Sequence, residues 1–102
     1  MSAMSVYMIV SIEDVFDPEL YKQYVSEVRA IVNKYGGRYL ARGGEIISFA
    51  GEWEPRRLIL IEFDSLEKAQ ECFNCPEYRK LAPLREEPTI TKALFVEGVQ
   101  RG

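Results

Sequence analysis

The chain contains no histidine. That absence removes Ser-His and Cys-His nucleophilic machinery, histidine-ligated haem and the common zinc sites together, because each needs an imidazole as base or ligand. Cysteine is scarce too: Cys72 and Cys75 are the only two, too close in sequence to staple a fold, and so few thiols suit a reducing compartment. Positive charge is not in excess. Thirteen basic against sixteen acidic residues give a formal net charge of -3, and the basic ones are scattered as pairs such as Arg56-Arg57 and Arg79-Lys80, which argues against nucleic acid or anionic membrane as the main partner. No apolar run approaches the ~20 residues that cross a bilayer. Met1-Ser2-Ala3-Met4 lacks the basic start and apolar stretch of a leader, so the expected address is cytoplasmic.

What is present is an ordinary globular composition, 47% hydrophobic and 28% charged over 102 residues. This predicts one domain over residues 1–102 with an ordered core of about 5–99. Val6 to Glu13 alternates as a strand, with Val6, Met8, Val10 and Ile12 on one face and Tyr7, Ile9 and Ser11 on the other. Asp17-Pro18-Glu19 is a helix start, an N-cap followed by proline at N1 and an acid in the first turn. The helix should run from Pro18 to about Tyr35, with Leu20, Tyr21, Tyr24, Val25, Val28, Ile31, Val32 and Tyr35 as its packed stripe, and Gly36-Gly37 should end it.

Arg38 to Arg42 and Ile46 to Ala50 read as strand segments kinked at Gly43-Gly44, and Gly51 to Pro55 as a turn. Leu58 to Phe63 is the most apolar strand. Asp64 or Ser65 then caps a second helix that directs Leu66, Ala69 and Phe73 inward until Pro76 interrupts it. A helical turn over Glu77 to Ala82 follows, Pro83 and Pro88 should force extended chain, and Thr89 to Val99 is the last strand. The order β-α-β-β-α-β predicts an α+β, ferredoxin-like fold, with a four-stranded antiparallel sheet and two helices on one face.

Two helices cover one face of such a sheet, so the other should be polar in a monomer. It is not: when Ile59, Ile61 and Phe63 face the helices, Leu58 and Leu60 must point away, beside Tyr7, Ile9 and, by alternation, Phe95. An apolar patch of that size implies a cover. A two-fold homodimer in which the open faces meet supplies it most simply.

Several phrases carry a family resemblance: Asp17-Pro18 with Tyr21 and Tyr24, Lys34-Tyr35-Gly36-Gly37-Arg38-Tyr39-Leu40, Arg42-Gly43-Gly44, Gly51-Glu52-Trp53-Glu54-Pro55-Arg56-Arg57, Ile61-Glu62-Phe63, Pro76-Glu77-Tyr78 and Val96-Glu97-Gly98. Together, from Val6 to Val99, the chain resembles the domain-of-unknown-function family thirteen-thirty of the dimeric α/β-barrel superfamily. The resemblance implies a dimeric barrel but no particular activity. Superfamily relatives include cofactor-independent monooxygenases, haem-degrading enzymes, muconolactone isomerases and chlorite dismutases, and the missing histidine counts against the haem-binding ones.

The candidate chemistry is a set rather than a motif. Glu62 is the candidate acid or base, because alternation puts it on the open face, where desolvation raises a carboxyl pKa unless an arginine pairs with it. Arg42, Arg57 and Arg85, with Trp53, Tyr7, Tyr24 and Tyr78, are candidate ligand-binding residues, since arginines beside aromatic walls hold small carboxylates by bidentate hydrogen bonds. The structural alternative makes Glu62 and Arg42 a buried ion pair that fixes register, and makes Trp53 with Pro55 a seal at the barrel end. Cys72-Phe73-Asn74-Cys75 supplies two zinc ligands where four are needed, and reads as packing at a helix C-terminus. Gly36-Gly37 and Gly43-Gly44 are turn and bulge glycines, not a phosphate cradle.

Two readings of function follow, neither requiring a cofactor or a metal. In the first, a small aromatic or carboxylate-bearing molecule is bound or transformed in a barrel cavity with Glu62 and Arg42 as its polar groups. In the second, the chain is a non-catalytic dimerisation or regulatory module with a filled core. A cavity of at least ~300 Å³ walled by Glu62 or an arginine would favour the first.

Overall fold

The computed structural model describes residues 4–99. Alternation in the first segment builds β1 (Val6–Val15), whose Val6, Val10 and Ile12 are buried. Asp17 then caps α1 (Pro18–Lys34): its carboxylate accepts from the Leu20 backbone N–H at 3.2 Å, and Pro18 opens the first turn. Tyr21, Tyr24, Val28 and Val32 recur at three- and four-residue spacing and form its buried stripe. Gly36, at φ +80°, ends the helix, and the Gly36 and Gly37 amides return to Asn33 and Val32 carbonyls.

The chain continues through β2 (Arg38–Arg42) and β3 (Arg57–Phe63). The side chain of Ser65, rather than that of Asp64, caps α2 (Leu66–Asn74). Pro76 closes α2 and opens α3 (Pro76–Leu81), and Cys75 serves both ends, its Sγ accepting from the Tyr78 N–H at 3.4 Å. A single turn, α4 (Pro83–Glu86), precedes β4 (Thr89–Glu97). The sheet is four-stranded and antiparallel in the order β2-β3-β1-β4, the ferredoxin-like arrangement that the order of elements predicts.

One core forms between the helices and one face of this sheet, joining Val10, Ile12, Ile59, Ile61 and Phe63 to Tyr24, Val28, Val32, Ala69, Cys72 and Leu81. Each fully buried large apolar side chain contributes about 1.5–3 kcal/mol. The other face carries Tyr7, Ile9, Leu58 and Leu60, half-buried, with Leu94 and Val96 exposed.

Four local expectations need correction. Residues 46–50 form no strand: β2 ends its pairing with Arg42 opposite Ile59, and Gly43 at φ +78° then turns the chain away from β3. Residues 83–86 are helical rather than extended, since proline suits the first position of a turn. The last strand stops at Glu97. Phe95 faces the helices, because it pairs with Met8 and its ring lies 6.4 Å from that of Phe73; Leu94 and Val96 take the open side.

Candidate functional site

Alternation along β3 places Arg57 on the same face as Ile59, Ile61 and Phe63, at the end of the strand and opposite Ile12. Register puts Arg42 of β2 beside Ile59, so its guanidinium lies on that face too. Arg85 arrives from α4 and Tyr78 from α3, while Tyr21, Tyr24 and Val28 descend from α1. Between them lies a cavity of about 130 Å³ whose fourth side is formed by Thr91 and Ala93 of β4. It therefore sits inside one chain, under the helices, and not on the open sheet face.

The electrostatics are one-sided. Among the described residues, three arginines border the cavity and no carboxylate does. Arg42 donates through Nη2 to the Val25 carbonyl at 2.7 Å and lies 4.8 Å from the Tyr39 ring centre, which fixes it without neutralising it. Arg85 has Glu86 of its own turn at 3.7 Å. The Nε of Arg57 is buried and has no hydrogen-bond partner among the described residues. A buried donor left unpaired costs about 1–3 kcal/mol, so its placement calls for an acceptor.

The hydroxyls of Tyr24 and Tyr78 meet at 2.9 Å. Only one can donate to the other, which leaves the second proton for another acceptor. Burial, followed by the Tyr78 neighbour, pushes the Tyr24 phenol above its ordinary range. Burial raises Tyr21 and Tyr39 as well, against the pull of nearby arginines. These groups are neutral donors at physiological pH, and among the described residues the lining holds no carboxylate, thiol or imidazole to act as a base. The arrangement can hold an anion or stabilise negative charge as it develops on a ligand.

The sequence-predicted set is thus divided by the sheet. Arg42, Arg57, Arg85, Tyr24 and Tyr78 come together at the cavity. Glu62 and Tyr7 lie on the opposite face, directly across from one another in β3 and β1. Glu62 does not pair with Arg42. Its Oε1 accepts from Arg38 Nε at 3.3 Å, and Arg38 Nη2 also reaches Asp64 at 3.0 Å. Hydrogen bonding from Ser5, together with Arg38 and Tyr7 and against some desolvation, holds the Glu62 carboxyl below its ordinary range, the reverse of a carboxyl raised by burial. Trp53 lies away from the cavity on the loop between β2 and β3, half-exposed, donating through Nε1 to Glu13 at 3.2 Å, whereas Pro55 is buried.

Tyr21, Tyr39 and Arg38 were not among the expected site residues. Tyr21 carries a signal, three residues before Tyr24 on the same stripe, whereas Arg38 depends on a β-bulge between Tyr39 and Ala41 that composition does not reveal. Cys72 and Cys75 are free and buried; burial and the neighbouring Cys75 push the Cys72 thiol up to about 12, which suits packing rather than reactivity. Among the described residues there is no group of three or more His, Cys, Asp or Glu able to hold a metal, and no helix long and apolar enough to cross a membrane.

The family model described as Domain of unknown function (DUF1330) matches residues 5–99. The chain belongs to that family. Among solved structures, a protein of unknown function from Rhodopseudomonas palustris is similar, with 14% identity and a TM-score of 0.78 over 96% of this chain and 85% of that one. A cofactor-independent oxygenase from Streptomyces nogalater has 8% identity and a TM-score of 0.62 over 99% and 97%. A dimeric ferredoxin-like protein of unknown function from Thermobifida fusca has 12% identity and a TM-score of 0.58 over 93% and 92%. At such identities the likeness is one of fold. No curated protein matches the chain.

Proposed function

We propose that this member of the family binds a small organic anion, aromatic or carboxylate-bearing, in the helix-side cavity of each protomer of a homodimer. The observation that carries the reading is the set of three arginines around an aromatic and aliphatic cavity that has no carboxylate among the described residues, Arg57 Nε being buried and without a partner among them. An anion would supply the acceptors, and its ring or chain would lie against Tyr21, Val28 and Ile59. The volume of about 130 Å³ is near the ~150 Å³ of an engineered cavity that holds benzene. Where a ligand is transformed, the lining contributes stabilisation of negative charge by guanidinium and phenol donors. The dimer draws support from the uncovered apolar face and from the Thermobifida fusca structure described as dimeric.

The module reading is favoured by one observation, a volume below the ~300 Å³ expected of a site for larger ligands. Thermal shift with benzoate, set against uncharged benzyl alcohol of similar shape, decides between them. A ligand at 100 times its dissociation constant adds about 2.7 kcal/mol of stability. A rise in Tm with benzoate and none with benzyl alcohol is the expected result. Equal shifts, or none across a panel of small carboxylates, would leave the module reading in place. Sedimentation of a stable monomer at micromolar concentration would remove the dimer.

A further inference from the structure

The hydrogen-bond donors around the cavity fall into two groups on opposite sides of it. The first belongs to β2 and β3. Gly43 follows Arg42, and a Cβ placed on it would meet Cζ, Nη1 and Nη2 of Arg57 at 3.4, 3.5 and 3.6 Å. Three near-equal distances mean that the Arg57 guanidinium lies face-on against the bare Gly43 backbone, beside Arg42. Its edge, with the buried Nε that has no partner among the described residues, is left for an acceptor in its plane.

The second group belongs to the β4 side. Thr89 Oγ1 gives its one proton to the Arg85 carbonyl at 2.6 Å, so in its 2.7 Å contact with Thr91 it is the Thr91 hydroxyl that donates. These bonds pin α4, and Arg85 with it, to the start of β4. Arg85 in turn neighbours the buried Tyr78 and Tyr24 phenols, which meet at 2.9 Å and use one proton between them.

Strand β1 separates the two groups. Arg57 on β3 and Thr91 on β4 are both register partners of Ile12, so their backbones stand two strand spacings apart, about 10 Å. The phenols divide in the same way. Burial raises Tyr39, against which Arg42 and Arg57 pull; burial raises Tyr24, and the arginine that pulls against it is Arg85. The floor between the groups is apolar, the single register row of Ile59, Val10 and Ala93.

We infer that the small anion proposed above, the reading on which this depends, is an oxo acid: a carboxylate held by Arg57 and Arg42, and a carbonyl oxygen at its far end held by the unused proton of the Tyr24 and Tyr78 pair. A ligand that ends in hydrocarbon would leave that proton unpaired in a dry site, which costs affinity. A second carboxylate fits less well. The phenols are neutral, and Arg85 already has the Glu86 carboxylate at 3.7 Å.

Isothermal titration calorimetry on the full chain tests this with 4-formylbenzoate and 4-vinylbenzoate, planar isosteres that differ by an acceptor oxygen in place of a methylene. The formyl compound is expected to bind about 3- to 10-fold tighter, the net worth of a neutral hydrogen bond. Tyr24→Phe combined with Tyr78→Phe removes both hydroxyls, keeps both rings, and should abolish that preference. Arg57→Leu should weaken both ligands alike and keep it. The infrared carbonyl stretch of carbonyl-labelled 4-formylbenzoate bound to the unaltered protein should lie below that of its methyl ester in hexane, a readout that needs no variant. Equal affinities, a preference for the vinyl compound, a preference that survives the double substitution, or an unshifted stretch would overturn the oxo acid while leaving the anion reading intact. Failure of both compounds and of benzoate to bind would refute the anion reading, and the oxo acid with it.

Discussion

The two faces of the sheet are both apolar, and they handle charge in opposite ways. Under the helices Arg42, Arg57 and Arg85 gather around one cavity with no acid in its lining among the described residues. On the open face Arg38 binds Glu62 and Asp64 together, so that the arginine's charge is met within the chain. The first arrangement leaves binding capacity for something from outside the chain; the second uses its capacity to hold β2 against β3. An arginine beside an aromatic wall thus points to a ligand only when its counter-charge is missing. Strand parity decides which arginine is in that position.

The sharpest way to break this comparison is through packing. Phe63→Ala on the helix side should cost about 3–5 kcal/mol in urea unfolding, because it empties the centre of the core. Leu60→Asp should turn the proposed dimer into monomers by setting a charge in the face proposed as its contact, a loss of association of about 3 kcal/mol or more read by sedimentation; an unchanged dimer would show that the open face is not the contact. Arg57→Leu should weaken benzoate binding about 10- to 100-fold, the worth of a charge-assisted hydrogen bond, while Arg38→Leu should leave it unaltered. Equal losses would erase the distinction between the faces.

The smallest effect concerns acid stability. Glu62 is held below its ordinary value of 4.5 by its hydrogen bonds. Its folded-state carboxyl therefore binds its proton less readily than the unfolded one, so its contribution is present above pH 4.5 and is lost as pH falls through the lower folded value. Glu62→Gln should flatten the stability profile in that acid window, and leave ligand binding at neutral pH as it was. A variant that lost ligand binding while keeping its fold would return Glu62 to the site.

The elements of the fold were legible because their signals are local. Asp17-Pro18 starts a helix wherever it falls, Gly36 stops it, and period two along Leu58 to Phe63 separates the faces. The arginines Arg42, Arg57 and Arg85 were legible as a set. What sequence could not settle was which side of the sheet they share, since Arg42 and Arg38 lie on opposite faces only because a bulge intervenes near Leu40. The pairing of Glu62 with Arg42 failed for that reason. Residues 46–50 misled differently: strand propensity is a statement about a pleated surface with neighbours, and the described residues offer that segment none.

Gly37 permits a close approach of helix and sheet. Its backbone is unexceptional, yet a Cβ placed on it would fall 2.5 Å from Val32 and 2.9 Å from the Phe63 ring. The C-terminal end of α1 is therefore packed closely against β3, and Val32 there lines the cavity together with Tyr21 and Tyr24 nearer the helix start. A methyl added to Gly37 would press on Val32 and Phe63 and so disturb one wall of that space, from a residue that does not itself line it.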